Sequence, residues 1–375
     1  MKFLIAAGGT GGHINPALAV AEELRARYPD AGILFLGTKK KMEAKLVPAA
    51  GFDFRSIEIS GFQRKLTPKN IIANVKTAFL VVKSTSESRK IIREFAPDVA
   101  VGFGGYVSGP VIREAAKLGV KTVIHEQNAY PGIANKALAK IVDRVLLTSV
   151  EAKKYLECKN EPVVTGLPVR EAILRADRAV SRAKLGVGNN ILVFSTGGSL
   201  GAKTINDVMS DIMISYKDAQ GIRFIHGYGR YGAFVPEKLA AAGISAENER
   251  FDVREYIYDM DDCLAAADIV VSRAGASSVA ELEALGKASI LIPSPNVAEN
   301  HQYHNAMALV KNGAAALVEE KELAEDPDRV KNLLAELLSD PERVISIGKN
   351  AKAMAQQNAK ARICDEIVSL VEAGK

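Results

Sequence analysis

Gly8-Gly-Thr-Gly-Gly12-His13, Gly104-Gly-Tyr-Val-Ser-Gly109 and Gly197-Gly-Ser-Leu-Gly201 each follow a short apolar run and precede an amphipathic stretch. Successive glycines let backbone N–H groups approach an anion closely, and a helix N-terminus adds positive potential. Any one such turn also reads as a tight strand-to-helix connection without a ligand. The first recurs in the third, each opening one half of the chain, and the pair points to anion binding. None of the three ends in Lys-Ser or Lys-Thr, which argues against a Walker-type ATPase. A formal Gly-x-Gly-x-x-Gly exists at Gly227, Gly229 and Gly232, with Asp252 roughly where a ribose-binding acid would stand. Pro236 and the lack of a clear helix directly behind it make this segment a loop rather than a dinucleotide fingerprint.

A general base works best with a pKa near the operating pH, which makes the histidines the first side chains to weigh for acid–base chemistry. Of the five histidines, His13 alone directly follows a glycine turn at a helix N-terminus, where the dipole disfavours the protonated ring. It reads as the base, or as a cap that shapes the loop. His125, in His125-Glu126-Gln127-Asn128 at the end of another strand, is its rival. The second histidine of a His-Glu-x-x-His motif is missing there, residue 129 being alanine, and no Asp-x-Asp pair is placed to hold a metal. Neither a metal nor a cofactor is expected. Ser272-Arg-Ala-Gly-Ala-Ser-Ser-Val-Ala-Glu281 passes from strand to helix, and its small residues let a ligand sit against the backbone. Glu281 is either a helix acid or a carboxylate that accepts both hydroxyls of a ribose. Asn296–Asn305 is a polar, histidine-rich loop.

Positioning these groups takes a repeated strand–turn–helix frame. Apolar runs at 3–7, 33–36, 99–103, 121–124 and 144–148 are too short for helices and read as buried parallel strands. Amphipathic stretches at 14–28, 110–118 and 132–140 fall between them, the first helix being marked by Asn15-Pro16. The pattern restarts at Ile191, with further strands at 222–226, 268–272 and 288–292. The chain of 375 residues exceeds one ordinary core, so two α/β domains facing across a cleft are expected. Glu161–Pro168 suits a linker, and from about Pro341 the chain reads as helical to its end.

A composition 48% apolar and 25% charged is that of a globular protein. A net charge of +5 is too weak to argue for nucleic acid. No apolar run approaches the ~18 residues of a membrane span, and Phe3–Ala7 is too short for a secretory signal. Three scattered cysteines (Cys158, Cys263, Cys364) give neither a disulfide framework nor a zinc pattern, which points to a reducing compartment. Between residues 64 and 94, Lys69, Lys76, Lys83 and Lys90 recur every seven residues beside Ile71, Ile72, Val75, Phe79 and Val82. A helix there has a basic stripe and an apolar face, which serve either an anionic membrane surface or an ordinary core contact.

The glycine turns, His125–Asn128, Gly166-Leu-Pro-Val-Arg170, Ser272-Arg-Ala-Gly275 and His301-Gln302 together closely resemble the MurG glycosyltransferases, in family order from residue 1 to about 312. These are the UDP-N-acetylglucosamine:N-acetylmuramyl-(pentapeptide) pyrophosphoryl-undecaprenol N-acetylglucosamine transferases. The resemblance implies a GT-B fold of two Rossmann-like domains. The N-terminal acceptor and membrane-side domain spans 1–165, rejoined by a C-terminal helix at about 350–375, and the UDP-GlcNAc domain spans 166–349. It implies inverting, metal-independent transfer of GlcNAc from UDP-GlcNAc to the C4 hydroxyl of undecaprenyl-pyrophosphoryl-MurNAc-pentapeptide, at the cytoplasmic face of the cell membrane. By position, the donor residues are Thr10, Gly11, Gly12, Asn128, Arg170, Ser199, Ile257 (through its main chain, to uracil), Ala276, Glu281 (ribose) and Gln302. The acceptor residues are Thr10, Gly104, Gly105, Tyr106, Ser108 and His125, with His13 catalytic. Leu167 and Leu200 stand where many members have asparagine and glutamine, and the second change removes a polar side chain beside the diphosphate loop. Cell-wall and division partners leave no mark in the sequence. A UDP-GlcNAc 2-epimerase on the same architecture is the nearest alternative; a dinucleotide oxidoreductase and a non-catalytic binding module explain fewer of the motifs.

Overall fold

The computed structural model describes residues 1–61, 68–245 and 248–373, and for residues 68–76 and 78 the backbone alone. The chain divides into two compact units, Met1–Pro168 with Gln356–Lys375, and Val169–Ala355.

Unit 1 is built on seven strands: β1 Lys2–Ala6, β2 Gly32–Gly37, β3 Asp53–Ser56, β4 Val99–Gly102, β5 Lys121–Glu126, β6 Arg144–Leu147 and β7 Val163–Val164. They lie in the order β3-β2-β1-β4-β5-β6-β7, and all pairs are parallel. Ile5 of β1 sits between Phe35 of β2 and Val101 of β4, in a sheet whose central strands are buried on both faces. That is why these runs are continuously apolar rather than alternating. The strand order reverses between β1 and β4, and ligands of open α/β sheets bind outside the carboxyl ends of the strands at such a switch point. The turns leaving β1 and β4 are Ala7–Thr10 and Phe103–Gly104, the first and second glycine segments.

Unit 2 repeats the plan with β8 Ile191–Thr196, β9 Ile222–Gly227, β10 Phe251–Arg254, β11 Ile269–Ser272, β12 Ala288–Leu291 and β13 Ala316–Leu317, in the order β10-β9-β8-β11-β12-β13. Its switch point lies between β8 and β11, whose turns are Gly197–Ala202 and Arg273–Gly275.

Three expectations change. The first helix is Gly11–Arg27, not a helix opening at Asn15-Pro16. Gly11 and Gly12 adopt helical backbone, a freedom that pattern reading spends on loops. The C-terminal segment is two helices, Pro341–Met354 and Ala359–Glu372, broken where Ala355 is extended (ψ 126°) and Asn358 is left-handed (φ 55°). The second of these belongs to unit 1, where Ile363, Ile367 and Val371 join the core. Its ion pairs Arg27–Asp365 (2.5 Å) and Lys360–Glu23 (3.1 Å) reach the last turns of the first helix. Finally, a helix does follow Gly232: Phe234–Ala241, with Pro236 in its first turn, where a missing N–H has no helical partner.

Candidate active site

In unit 1 the first two glycine segments pack directly on each other. A Cβ at Gly105 (φ +76°) would lie 2.2 Å from the Gly8 carbonyl oxygen, so only glycine fits. Thr10 is the N-cap of the first helix, and the first-turn N–H groups of Gly11 and Gly12 have no carbonyl four residues back within it. These two donors and the helix dipole make a corner of the unit that is suited to an anion. The Gly9 N–H is already committed, donating to Glu43 Oε2 at 3.2 Å. Tyr106 stands beside this corner, its ring 3.6 Å from where a Gly9 Cβ would be.

His13 is in the same first turn. Its Nδ1 lies 3.1 Å from the Gly8 carbonyl, which can only accept, so Nδ1 carries the proton of the neutral ring and Nε2 keeps the lone pair. Thr10 Oγ1 is also near Nδ1, at 3.3 Å. Nε2 faces Gly104 (φ +90°), where a Cβ would come within 3.1 Å of it. Burial pulls the His13 pKa below the usual histidine value; the Gly8 bond and the Glu43 charge pull it back up. The ring is therefore neutral and basic at neutral pH.

His125, the rival base, is fully buried. Its Nε2 donates to the Gly166 carbonyl at 2.9 Å, Nδ1 accepts from Gln127 Nε2 at 3.2 Å, and the ring stacks on Phe103. Burial lowers its pKa to about 4, against the raising effect of the Gly166 bond. With both nitrogens committed it tethers β5 to the chain at Gly166, and neither proton transfer nor acceptor contact is open to it. Ser108 is a second correction. It is fully buried and its hydroxyl is spent on the Ala6 and Gly104 carbonyls (3.0 and 2.8 Å), so it shapes the turn without facing a ligand. Asn128 ends the same segment, with its N–H and Nδ2 on Glu126 Oε1 (2.9 and 3.2 Å). Glu126 also accepts from Gly132 N–H and Asn135 Nδ2 (3.1 and 2.8 Å), and burial raises its pKa. It organises the loop that presents Asn128, a role its neighbours in sequence did not reveal.

In unit 2 the Gly197–Gly201 turn enters the helix Lys203–Ser215 and leaves Ser199 and Leu200 exposed at its tip. The departure from glutamine at position 200 thus puts an apolar side chain in solvent. Gly201 and Gly229 are pressed backbone to backbone: a Cβ at Gly229 would lie 2.1 Å from Gly201 N, and one at Gly201 2.1 Å from Tyr228 O. Gly232 is crowded by Asn206 and Tyr228 O, each 2.4 Å from its would-be Cβ. Gly229 thus serves packing against the Gly197–Gly201 turn, while Gly227 makes room for Ile257 and Gly232 for Asn206 and Tyr228, which accounts for the three glycines without a dinucleotide.

Arg170 and Glu281 come together: Arg170 Nε and Nη2 donate to Glu281 Oε1 at 3.2 and 3.1 Å. Burial raises the Glu281 pKa while Arg170 lowers it, the former being the larger effect. Glu281 rides the helix Ala276–Leu285, whose first residue is Ala276. Ile257 packs its side chain on Gly227, and its main-chain N–H and C=O take no hydrogen bond from the described residues. Gln302 Oε1 accepts the Ser294 N–H at 2.9 Å, which turns its Nε2 donors elsewhere. His226 is buried between Ser195 Oγ (2.8 Å) and Asn206 Oδ1 (3.2 Å), its pKa lowered by burial to about 4. A separate cavity of about 480 Å³, lined by Arg178, Asp268, Lys287 and Lys352, lies at the amino ends of β11 and β12 and so away from the switch point.

Residues 3–147 match the glycosyltransferase family 28 N-terminal domain, and residues 192–367 the family 28 C-terminal domain. A protein of Acetivibrio thermocellus is 42% identical over 375 residues, covering 99% of each chain, and one of Desulforamulus reducens is 40% identical over 369 residues, covering 97% of each. Both are named UDP-N-acetylglucosamine–N-acetylmuramyl-(pentapeptide) pyrophosphoryl-undecaprenol N-acetylglucosamine transferase. The crystal structure of Acinetobacter baumannii MurG matches with a TM-score of 0.79 at 28% identity, over 98% of this chain and 99% of that one. A UDP-GlcNAc 2-epimerase from Neisseria meningitidis, bound to UDP-GlcNAc, has a TM-score of 0.67 at 13% identity, over 98% of this chain and 100% of that one; it shares the fold.

Proposed function

This chain belongs to glycosyltransferase family 28 and within it to the MurG transferases of GT-B fold, and from that premise we propose which of its residues do the work. The enzyme moves GlcNAc from UDP-GlcNAc onto lipid-linked MurNAc-pentapeptide, turning lipid I into lipid II. The epimerase reading gives way to relatives near 40% identity along almost the whole chain.

Unit 2 takes the donor. Glu281 accepts the ribose hydroxyls, with Arg170 holding its carboxylate. The main-chain groups of Ile257 pair with uracil, and Ser199, the Gly197–Gly201 turn and the N-terminus at Ala276 meet the diphosphate. Gln302 contacts the sugar. Unit 1 takes the lipid pyrophosphate on Thr10, Gly11 and Gly12, flanked by Gly104, Gly105 and Tyr106. His13 Nε2 removes the proton of the C4 hydroxyl as its oxygen bonds to the anomeric carbon, and the C1–O bond breaks with its electron pair leaving on UDP. Backbone donors aimed at that leaving charge are each worth ~3–4 kcal/mol at the transition state. The observation that carries this assignment is the fixed tautomer of His13: one nitrogen anchored on Gly8, the other basic and facing a glycine. The test is the product. Incubated with UDP-GlcNAc and a short-chain lipid I analogue, the enzyme should yield a β-linked disaccharide on the acceptor, and an α linkage would remove the direct-displacement route.

We further propose that unit 1 docks on the cytoplasmic face of the membrane through the helix Pro68–Phe95. Among the described residues no helix is long and apolar enough to cross a membrane. This helix buries Thr77, Ser84 and Ser88, and Ile91 and Ile92 near its end, while Phe79 is 74% and Val82 71% exposed. Two large apolar side chains one turn apart in solvent suit a further surface. Of the basic stripe, Lys83 is held by Glu58 and Lys90 lies 3.9 Å from Glu94, so the apolar pair is the stronger anchor. Arg64 and Lys65, and the side chains of Lys69, Ile71, Ile72, Val75 and Lys76, lie outside the described residues. Phe79→Ser with Val82→Ser should weaken binding to anionic vesicles by roughly tenfold or more. Unchanged sedimentation would assign both side chains to another contact.

A further inference from the structure

We propose that Glu43 is a positioning residue for the base: its carboxylate ties the Gly8–Gly12 loop to the turn that follows β2, and through that loop sets where His13 Nε2 stands. The inference rests on His13 being the base.

Glu43 is only 1% exposed. Its Oε1 accepts the Thr38 N–H at 3.0 Å and the Thr38 hydroxyl at 2.7 Å, and its Oε2 accepts the Gly9 N–H at 3.2 Å. Two glycines make room for it. A Cβ at Gly8 would lie 2.9 Å from Oε1, and one at Gly37 2.5 Å from Cγ. A buried carboxylate is costly unless hydrogen-bonded, and one placed beneath an anion-binding loop also repels the ligand. Both carboxylate oxygens accept from donors here, and an amide of the same shape cannot do that, because one of its two ends is itself a donor.

The charge does have a use at His13. The link runs from Glu43 Oε2 to the Gly9 N–H, across the Gly8–Gly9 peptide to the Gly8 carbonyl, and from there to His13 Nδ1. Holding that peptide fixes both the tautomer and the direction of Nε2. The negative charge also favours the imidazolium that forms when the acceptor proton arrives, opposing the effect of burial. Among the described residues, the other titratable groups around the ring are the Tyr106 phenol, from the helix Gly105–Lys117, and the neutral His125 behind Gln127; Lys39, Lys40 and Lys41 are exposed on the turn that Glu43 anchors.

Glu43→Gln keeps the shape, removes the charge and sets an NH2 against the N–H of either Gly9 or Thr38. In the full-length enzyme the acid limb of the pH profile of kcat/KM for a lipid I analogue should move to lower pH, because the base loses the charge that raised its pKa. The plateau should fall roughly tenfold while the KM for UDP-GlcNAc stays put. A lower plateau with an unmoved limb would make Glu43 a loop fastener only and overturn the proposal. If the Gln variant does not fold, Thr38→Val tests the same link, since it removes one donor to Oε1 and keeps the charge. It should lower kcat severalfold with the limb in place, and an unchanged kcat overturns the proposal. Failure of the base assignment itself is read separately, in His13→Ala.

Discussion

His13→Ala lowers kcat by roughly 10²–10⁴ and leaves UDP-GlcNAc affinity almost unchanged, which is the range general bases contribute. The asymmetry follows from the geometry. His13 belongs to unit 1, with the acceptor corner, so its loss touches the proton transfer and not the nucleotide. Its ring donates one hydrogen bond to Gly8, and a Cβ at Gly104 would crowd its other nitrogen. Truncation therefore removes a base without opening a large apolar cavity. Because burial holds its pKa below the usual value, the parent rate should rise with pH only through an acidic limb and be flat at neutrality. A His13→Ala enzyme that keeps most of its kcat would remove His13 as the base and point to a substrate-assisted route, since His125 and His226 have both ring nitrogens occupied.

Glu281→Ala weakens UDP binding by roughly tenfold to hundredfold, the worth of charge-assisted hydrogen bonds to the ribose. The fold should survive. The Arg170 side chain is 59% exposed, and exposed ion pairs contribute little to stability. Only one oxygen of Glu281 is engaged by Arg170, and a carboxylate can take the paired ribose hydroxyls while the guanidinium holds it in place. Calorimetry of UDP on the folded variant settles the point: affinity equal to the parent's would leave Glu281 as a partner of Arg170 alone.

The glycine turns were legible because a strand, a run of glycines and a helix start is a local pattern. The strand order then places them at the switch points of both sheets. Strands β3, β7, β10 and β13 were not legible, for they are short or polar edge pieces whose pairing, rather than their composition, makes them strands. Side-chain direction was the other loss. His125 and His13 look alike in sequence, both beside a turn, yet one is sealed between Phe103 and Gly166 while the other faces a glycine. Ser108 looked like a ligand hydroxyl and is spent on backbone carbonyls. Glu43 and Glu126 were missed for the converse reason. Each is an acid at or beyond the end of a strand whose partners are backbone N–H groups and short polar side chains, and nothing in residue type announces such partners. The Gly227–Gly232 segment was set aside for want of a helix, but the helix is there; its glycines instead answer close packing, Gly229 on the Gly197–Gly201 turn, Gly227 on Ile257 and Gly232 on Asn206 and Tyr228.

The central claim is transfer of the sugar to a lipid-linked hydroxyl, and the direct measurement is UDP release from UDP-GlcNAc with and without a short-chain lipid I analogue. Release that depends on the acceptor, in step with disaccharide formation, is the predicted result. UDP released at the same rate without acceptor, or UDP-GlcNAc converted to its 2-epimer, would contradict it.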